Sequence, residues 1–136
     1  MVRNIVKDIN LLNKKASTAT KDDLEIVNDL MDTLKANEKN CIGMAANMIG
    51  YNKAIICISL GFLNLPMINP VITKKINSYK TKESCLSLLG ERECLRHKEI
   101  EVDYYDLSFT KRHGVYQGLT AEIIEHEIDH LNGIII

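Results

Sequence analysis

The sequence predicts an α+β domain in which mixed or antiparallel β-sheets pack around a C-terminal helix, and an N-terminal helix covers the sheet. Three observations predict it: a helical apolar pattern over 21–37, short apolar or alternating segments between 53 and 105, and a last segment with His-Glu-x-x-His at 126–130. With 136 residues, the chain is expected to form a single domain over 1–136.

The composition, with 46% hydrophobic and 26% charged residues, is typical of a globular domain. A formal net charge of −1 argues against direct nucleic-acid binding. No apolar run approaches the ~20 residues of a membrane span, and the N-terminus lacks a signal-peptide core. We therefore expect a cytoplasmic protein without a membrane partner, as a monomer or weak dimer, whose four cysteines stay reduced.

An amphipathic helix is predicted over 21–37, after an extended, partly apolar arm at 1–19. Thr20 is suited to be its N-cap, and Asp22 and Asp23 place acidic groups in the first turn. Apolar residues then recur at helical spacing as far as Leu34, so one face is expected to cover the sheet.

Apolar or alternating segments predict strands over 53–59, 66–73 and 99–105. Cys57 lies in the first of these segments and is expected in the core. The polar residues before Glu83 predict a loop, and 111–114 predict a turn. The small residues at 43, 45 and 46 permit close backbone approach, and we expect a tight turn there, packed under the sheet.

The last helix carries the strongest chemical motif of the chain. His126 and His130 are four residues apart, so both imidazoles lie on one helix face, where they can bind one divalent metal. Glu127 is then placed beside the metal-bound water as a general base. Thr120 is the expected N-cap, and Asn132 with Gly133 is expected to end the helix. The alternative is a surface helix with two unrelated histidines.

Two imidazoles do not complete a metal site, and Cys85 is the best candidate for a third ligand. A thiolate with two imidazoles suits Zn²⁺ or Fe²⁺ and leaves a position for water. His97 and His113 are alternatives, but each lies among charged residues, which is typical of exposed histidines.

Three segments taken together resemble those of the peptide deformylases. That family has G-Φ-G-Φ-A-A-x-Q, E-G-C-L-S and Q-H-E-x-D-H in this order, where Φ is apolar. The corresponding residues are Cys-Ile-Gly-Met-Ala-Ala-Asn-Met at 41–48, Glu-Ser-Cys-Leu-Ser at 83–87 and Glu-His-Glu-Ile-Asp-His at 125–130.

The resemblance implies a metal-dependent hydrolase that removes the N-formyl group from nascent peptides beginning with formylmethionine. It implies that Cys85, His126 and His130 bind one divalent metal, natively Fe²⁺, with Zn²⁺ or Ni²⁺ as substitutes. Glu127 would pass the proton of the attacking water to the leaving amine. The backbone N–H of Leu86 would donate to the oxyanion.

The same resemblance predicts substrate-binding residues, namely Ile42, Gly43, Met48, Arg92, Glu122 and Ile123. Two of them have an alternative role: Glu122 could be a water-exposed glutamate in the first helical turn, and Arg92 a surface arginine. If Glu122 does line the pocket, the pocket is partly polar, and an altered side-chain preference is a hypothesis.

Met48 is the main departure from the family pattern, because it replaces the glutamine that donates to the oxyanion. A thioether has no N–H, and loss of one such donor costs on the order of 10²–10³ in kcat. Asn47 is expected to point elsewhere. A weakly active or inactive paralogue that binds metal and peptide or a partner is therefore the alternative function. A cysteine hydrolase with Cys85 as nucleophile is a further alternative.

Smaller departures are Cys41, Ser84 and Glu125, which replace two glycines and a glutamine of the family pattern. Ser84 would be strained if its position required a positive φ. Cys41 is expected to be a packed apolar residue rather than a metal ligand.

Overall fold

The computed structural model describes residues 1–85 and 88–134, and of Cys85, Leu88 and Leu89 it describes the backbone alone. The helices in this part of the chain are α1 (Ile9–Leu12), α2 (Leu24–Ala36) and α3 (Gly118–Leu131). The strands are β1 (Gly43–Ala45), β2 (Ile55–Ser59), β3 (Asn64–Cys85), β4 (Leu88–Tyr105) and β5 (Lys111–Gln117). Short 3₁₀ turns lie at Lys21–Asp23 and Ala46–Ile49.

The five strands form an antiparallel sheet in the order β1-β2-β3-β4-β5. Both α2 and α3 pack against it, and α3 contacts β4, β1 and β2. The predicted α+β class with a covering helix and a C-terminal helix is confirmed, in its antiparallel form.

The apolar core is centred on β2. All four side chains of 55–58 are buried, and successive side chains of a strand point to opposite faces, so both faces of β2 are covered. Cys57 is fully buried, as predicted from its apolar segment. From α2, Val27, Leu30 and Leu34 present a buried stripe at helical spacing.

Thr20 is an N-cap as predicted, but it caps the 3₁₀ turn at Lys21–Asp23, and α2 itself begins at Leu24. The Thr20 hydroxyl accepts the Asp22 N–H at 3.3 Å, and the Asp23 carboxylate accepts the Thr20 N–H at 2.9 Å. These contacts satisfy backbone donors that the first helical turn leaves without partners. The arm before this helix is less extended than predicted, since it contains α1.

The pairing of β3 with β4 extends beyond the strands predicted at 66–73 and 99–105. The polar segment 74–82, expected to be a loop, is part of β3. Most of its side chains are exposed, so this part of the strand has no apolar alternation by which a sequence pattern could identify it. The register shifts between Ile68 and Val71, beside Asn69, whose φ is 52°.

The turn predicted at 111–114 is wrong, because these residues begin β5. The chain reverses earlier, where the Asp106 carboxylate accepts the N–H groups of Ser108 and Thr110 at 2.9 and 3.0 Å. The last helix also begins before the predicted Thr120, at Gly118, whose φ of 59° suits glycine.

His113 joins β5 to β4 and gives a pH-dependent prediction. Its ring nitrogens lie 2.6 Å from Asp103 Oδ1 and 2.9 Å from Glu101 Oε1. The hydrogen bond with Asp103, followed by that with Glu101, raises the pKa of His113 above its ordinary 6.5. A raised pKa stabilises the fold fully below the unfolded pKa, and the stabilisation is lost as pH rises through the folded pKa.

We expect an NMR titration of the His113 imidazole to give a pKa above 6.5. In the double variant Glu101→Gln/Asp103→Asn, the pKa should return towards the ordinary value, because both acceptors lose their charge. Identical pKa values in the wild type and the double variant would contradict the proposed bridge.

Candidate metal centre and active site

Helix α3 brings the two imidazoles of the motif together inside the protein. His126 is 7% exposed and His130 is fully buried. Their Nε2 atoms lie 3.2 Å apart, as expected for side chains one turn apart on the same helix face. The alternative of an exposed surface helix with two unrelated histidines is therefore wrong.

Glu83, near the end of β3, determines which nitrogen of His126 carries a proton. Its Oε1 lies 2.6 Å from His126 Nδ1. An ionised carboxylate only accepts hydrogen bonds, so Nδ1 must be the donor. The Nε2 lone pair of neutral His126 then points towards His130, which is the tautomer that a metal-binding histidine requires.

A buried ion pair holds Glu83 in this position. Arg96 on β4 donates to Glu83 from Nη2 at 2.7 Å and to Asp129 on α3 from Nη1 at 2.6 Å. Burial alone would raise the pKa of Glu83, but hydrogen bonds from His126 and Arg96 outweigh it and hold this pKa well below its usual range. Burial would likewise lower the pKa of Arg96, but its bonds to Glu83 and Asp129 raise it.

The donor set at this position suits a divalent metal. His126, Glu127 and His130 each offer a ligand atom, and these atoms lie within 4.8 Å of one another. Two nitrogens that bind one Zn²⁺ at ~2.0–2.1 Å in tetrahedral geometry lie roughly 3.3 Å apart, close to the Nε2 separation here. His130 Nδ1 is buried and, among the described residues, has no hydrogen-bond partner.

The side chain of the predicted third ligand and one predicted oxyanion donor lie outside the described residues. Cys85 is the last residue of β3, two residues after Glu83, but its side chain lies outside the described residues. Leu86 also lies outside the described residues. Their roles stay predictions.

The alternative histidine ligands are engaged elsewhere. His97 Nδ1 lies 2.6 Å from Glu125 Oε1, and the His97 backbone N–H donates to the same carboxylate at 2.9 Å. His113 bridges β5 to β4. Cys41 is half-buried and packs against the apolar core, as expected, and its thiol donates to the Gly43 carbonyl oxygen at 2.9 Å.

Glu127 is 4% exposed and lies against β1. A Cβ placed on Gly43 would come within 3.0 Å of Glu127 Oε2 and 2.7 Å of Ile123 Cγ2. Only a glycine therefore allows β1 to approach α3 this closely. The segment expected to be a tight turn is instead a short strand followed by a 3₁₀ turn, and it forms one wall of the site.

A cavity of about 340 Å³ opens beside His126 and Glu127. Its volume lies within the range of small-ligand sites. The described residues that line it are Asn40, Cys41, Ile42, Gly43, Met48, Glu83, Ser84, Leu119, Glu122, Ile123, His126 and Glu127. This set contains five of the six predicted substrate-binding residues, and their contact with substrate stays a prediction.

The sixth, Arg92, lies on β4 opposite Glu83 in the β3–β4 register. It is absent from the described residues that line the cavity. Its Nη1 atom is nonetheless buried and has no hydrogen-bond partner within the described part of the chain. Because this nitrogen is buried, the alternative of a surface arginine is disfavoured. A buried donor usually has an acceptor, and the described residues supply none for Nη1.

Glu122 is half-buried and lines the cavity, which favours the pocket position over a water-exposed one. Its Oε1 accepts the Tyr79 hydroxyl at 3.4 Å. The neighbouring Glu83 carboxyl group, followed by burial, raises the pKa of Glu122 to about 7.

Met48 and Asn47 leave the predicted gap among the oxyanion donors. The Met48 sulfur accepts the Ala45 N–H at 3.4 Å, and a thioether offers no donor to a substrate. Asn47 points away, as expected, and its Nδ2 donates to the His130 carbonyl at 2.8 Å. Ser84 is not one of the described non-glycine residues that have a positive φ, so its backbone is not strained in this way.

The sequence does not predict the partners of the two histidines. Glu83 belongs to a motif of the family, but its bond to His126 spans 43 positions of the chain. Arg96 and Asp129 carry no local pattern that would reveal their ion pair. The expectation for Asn47 is only that it points away from the oxyanion, and its contact with α3 is not predicted.

The α+β fold, the pair of imidazoles on α3, and a ligand-sized cavity lined by His126 and Glu127 are together typical of a metallohydrolase. The family model for polypeptide deformylase matches residues 2–136. The peptide deformylase of Clostridium beijerinckii is 53% identical over 136 residues, which is 100% of both chains. The chain belongs to the polypeptide deformylase family and is a metal-dependent hydrolase.

Solved structures agree with this assignment. Peptide deformylase from the Vibrio parahaemolyticus bacteriophage VP16T, in complex with actinonin, is 32% identical, has a TM-score of 0.87, and aligns over 98% of this chain and 99% of that one. The Met-Ala-Ser-bound class I type b enzyme of Acinetobacter baumannii is 25% identical, with a TM-score of 0.88 over 99% and 97% of the two chains. Among the described residues, no helix is long and apolar enough to cross a membrane.

The Asn47 bond to α3 yields a prediction about metal affinity. Asn47→Ala should weaken metal binding, because Asn47 holds the backbone of His130, a predicted ligand. The loss should be smaller than the roughly 10- to 100-fold that follows removal of a partner of the ligating ring itself. Unfolding free energy should fall by about 1 kcal/mol, since the His130 carbonyl keeps the Gly133 N–H as a second donor. A chelator competition titration and urea unfolding measure the two effects.

The matched control for this prediction is Asn10→Ala, at an exposed position of α1. It should leave the metal affinity unchanged. Equal metal affinities for Asn47→Ala and Asn10→Ala would show that the Asn47 bond does not position His130.

Proposed function

We propose that this chain removes the N-formyl group from N-formylmethionyl peptides of nascent proteins. The observation that carries the proposal is the arrangement of His126, whose Nδ1–H is fixed by Glu83 and whose Nε2 faces His130 beside the cavity. The two Nε2 atoms are therefore close enough to bind one metal ion, beside a cavity that a peptide ligand could enter. The bound peptide Met-Ala-Ser of the A. baumannii enzyme supports the same class of ligand here.

Cys85, His126 and His130 are the proposed metal ligands, and Fe²⁺ is the proposed native metal, with Zn²⁺ or Ni²⁺ as substitutes. When bound, the cation supplies Lewis acidity and a water that ionises near neutral pH. Glu83 and Arg96 keep His126 in its binding tautomer, and Asn47 holds the end of α3 on which His130 lies.

Glu127 is the proposed general acid/base. It is buried between α3 and β1 and lines the cavity, within reach of a scissile bond placed there. It takes a proton from the attacking water and donates it to the leaving amine. The close approach of Gly43 keeps this carboxyl group away from bulk solvent.

The proposed substrate contacts are Ile42, Gly43, Met48, Glu122 and Ile123 around the first side chain, with Arg92 towards the peptide backbone. The proposed oxyanion donor is the backbone N–H of Leu86. We further propose that the enzyme acts in the cytoplasm on nascent peptides, as a monomer or weak dimer, without direct binding to nucleic acid.

The activity is tested by hydrolysis of formyl-Met-Ala-Ser with protein prepared anaerobically and loaded with Fe²⁺. Metal removal should abolish turnover. Glu127→Gln should lower kcat by about 10²–10⁴, the range attributed to general acid–base catalysis. Glu25→Gln, the same change at an exposed position of α2, is the matched control and should leave kcat unchanged. Turnover that survives stringent metal removal would instead support Cys85 as a nucleophile.

We expect Met48 to limit the kcat of the proposed reaction. A glutamine amide at this position would supply the oxyanion donor that the Met48 thioether lacks. We expect Met48→Gln to raise kcat about a hundredfold, the size of one oxyanion donor. Met48→Leu, which adds no donor, is the control and should stay near the wild-type rate.

Urea unfolding of the Met48 variants checks that a buried amide has not destabilised the fold. Wild-type kcat equal to that of Met48→Gln would mean that another group replaces the missing donor. No hydrolysis by the wild type or by a folded Met48→Gln variant would favour the alternative, a paralogue that binds metal and peptide without catalysis.

A further inference from the structure

The cavity beside the imidazoles has a polar end that differs from its remaining walls. Ile42, Leu119 and Ile123 supply an apolar lining. Glu83 and Glu122 line the same cavity with carboxyl groups. A purely aliphatic ligand would remove water from these groups without replacing its hydrogen bonds, which is unfavourable.

A hydrogen bond holds Glu122 at this polar end. The Tyr79 hydroxyl on β3 donates to Glu122 Oε1 at 3.4 Å. Glu83 lines the same cavity and is held by Arg96 and His126. Turning Glu122 into bulk solvent would break its contact with Tyr79.

Each oxygen of a carboxyl group carries lone pairs that accept hydrogen bonds. The Tyr79 hydroxyl uses only one of the acceptor positions of Glu122, so this side chain still has acceptor capacity for a ligand in the cavity that it lines.

Building on the deformylase function proposed above, we propose that Glu122 is a specificity-determining residue that lets the cavity accept a first side chain ending in a hydrogen-bond donor. The substrate class is an N-formyl peptide whose first side chain is unbranched and ends in an amide or ammonium group, such as glutamine or lysine. Such a chain packs along the apolar walls as methionine does, and its N–H groups satisfy the Glu122 carboxyl group. Norleucine has the same shape but offers no donor to the acceptor positions of Glu122 that Tyr79 does not use.

The test compares formyl-Gln-Ala-Ser with formyl-norleucine-Ala-Ser on Fe²⁺-loaded wild-type protein and on Glu122→Leu. The ratio of the two kcat/KM values should be about tenfold higher in the wild type than in Glu122→Leu, the effect of one buried hydrogen bond. Taking the ratio within each protein cancels any loss of folded enzyme in the variant. Glu122→Gln should keep part of the glutamine preference and lose the preference for formyl-Lys-Ala-Ser.

A binding measurement supplies a readout that does not depend on turnover. Calorimetry with the product peptides Gln-Ala-Ser and norleucine-Ala-Ser should show the same change in relative affinity between wild type and Glu122→Leu. Glu25→Leu, at an exposed position of α2, is the matched control and should leave both ratios at their wild-type values.

The outcomes separate the two proposals. If formyl-Met-Ala-Ser is hydrolysed and the glutamine-to-norleucine ratio differs less than twofold between wild type and Glu122→Leu, the role of Glu122 is overturned. If the wild type does not hydrolyse formyl-Met-Ala-Ser, the proposed function fails, and the product-peptide affinities then decide the role of Glu122 by themselves.

Discussion

The hydrogen bond between Glu83 and His126 is the contact on which the metal centre depends. It joins the end of β3 to the middle of α3 and determines which nitrogen of the imidazole carries the proton. Because Nδ1 is committed to Glu83, Nε2 faces His130 with its lone pair. The bond is also short and buried, so reorienting the imidazole would leave a carboxylate without one of its donors.

Arg96 makes this contact part of a buried ion-pair network. It binds Glu83 on β3 and Asp129 on α3, the helix to which His126 belongs. Burying such charges is costly unless each is paired, and the single guanidinium here serves two carboxylates through different nitrogens. The orientation of His126, a predicted metal ligand, is therefore coupled to the packing of α3 on β4 rather than to the helix alone.

The opposite wall of the site depends on the close approach of β1 to α3. Gly43 allows β1 to lie directly against Glu127 and Ile123, where any side chain would collide. The 3₁₀ turn that follows β1 then places Met48 at the cavity and Asn47 against the end of α3. One short segment thus links the cavity to the helix that bears the imidazoles. Met48 lines the cavity, and the adjacent Asn47 contacts the helix.

The sequence by itself determined what depends on local spacing. The pairing of His126 with His130, the Thr20 cap and the apolar stripe of α2 each follow from residues within about one to three helical turns, where backbone geometry relates position to direction. The exposed part of β3 and the first residues of β5 were missed because neither has an apolar alternation. Only the tertiary structure decided that Glu83 meets His126 and that Glu122 meets Tyr79, since the partners in each pair lie 43 positions apart. Their contact depends on how a long strand is registered against the last helix, and no local pattern encodes that register.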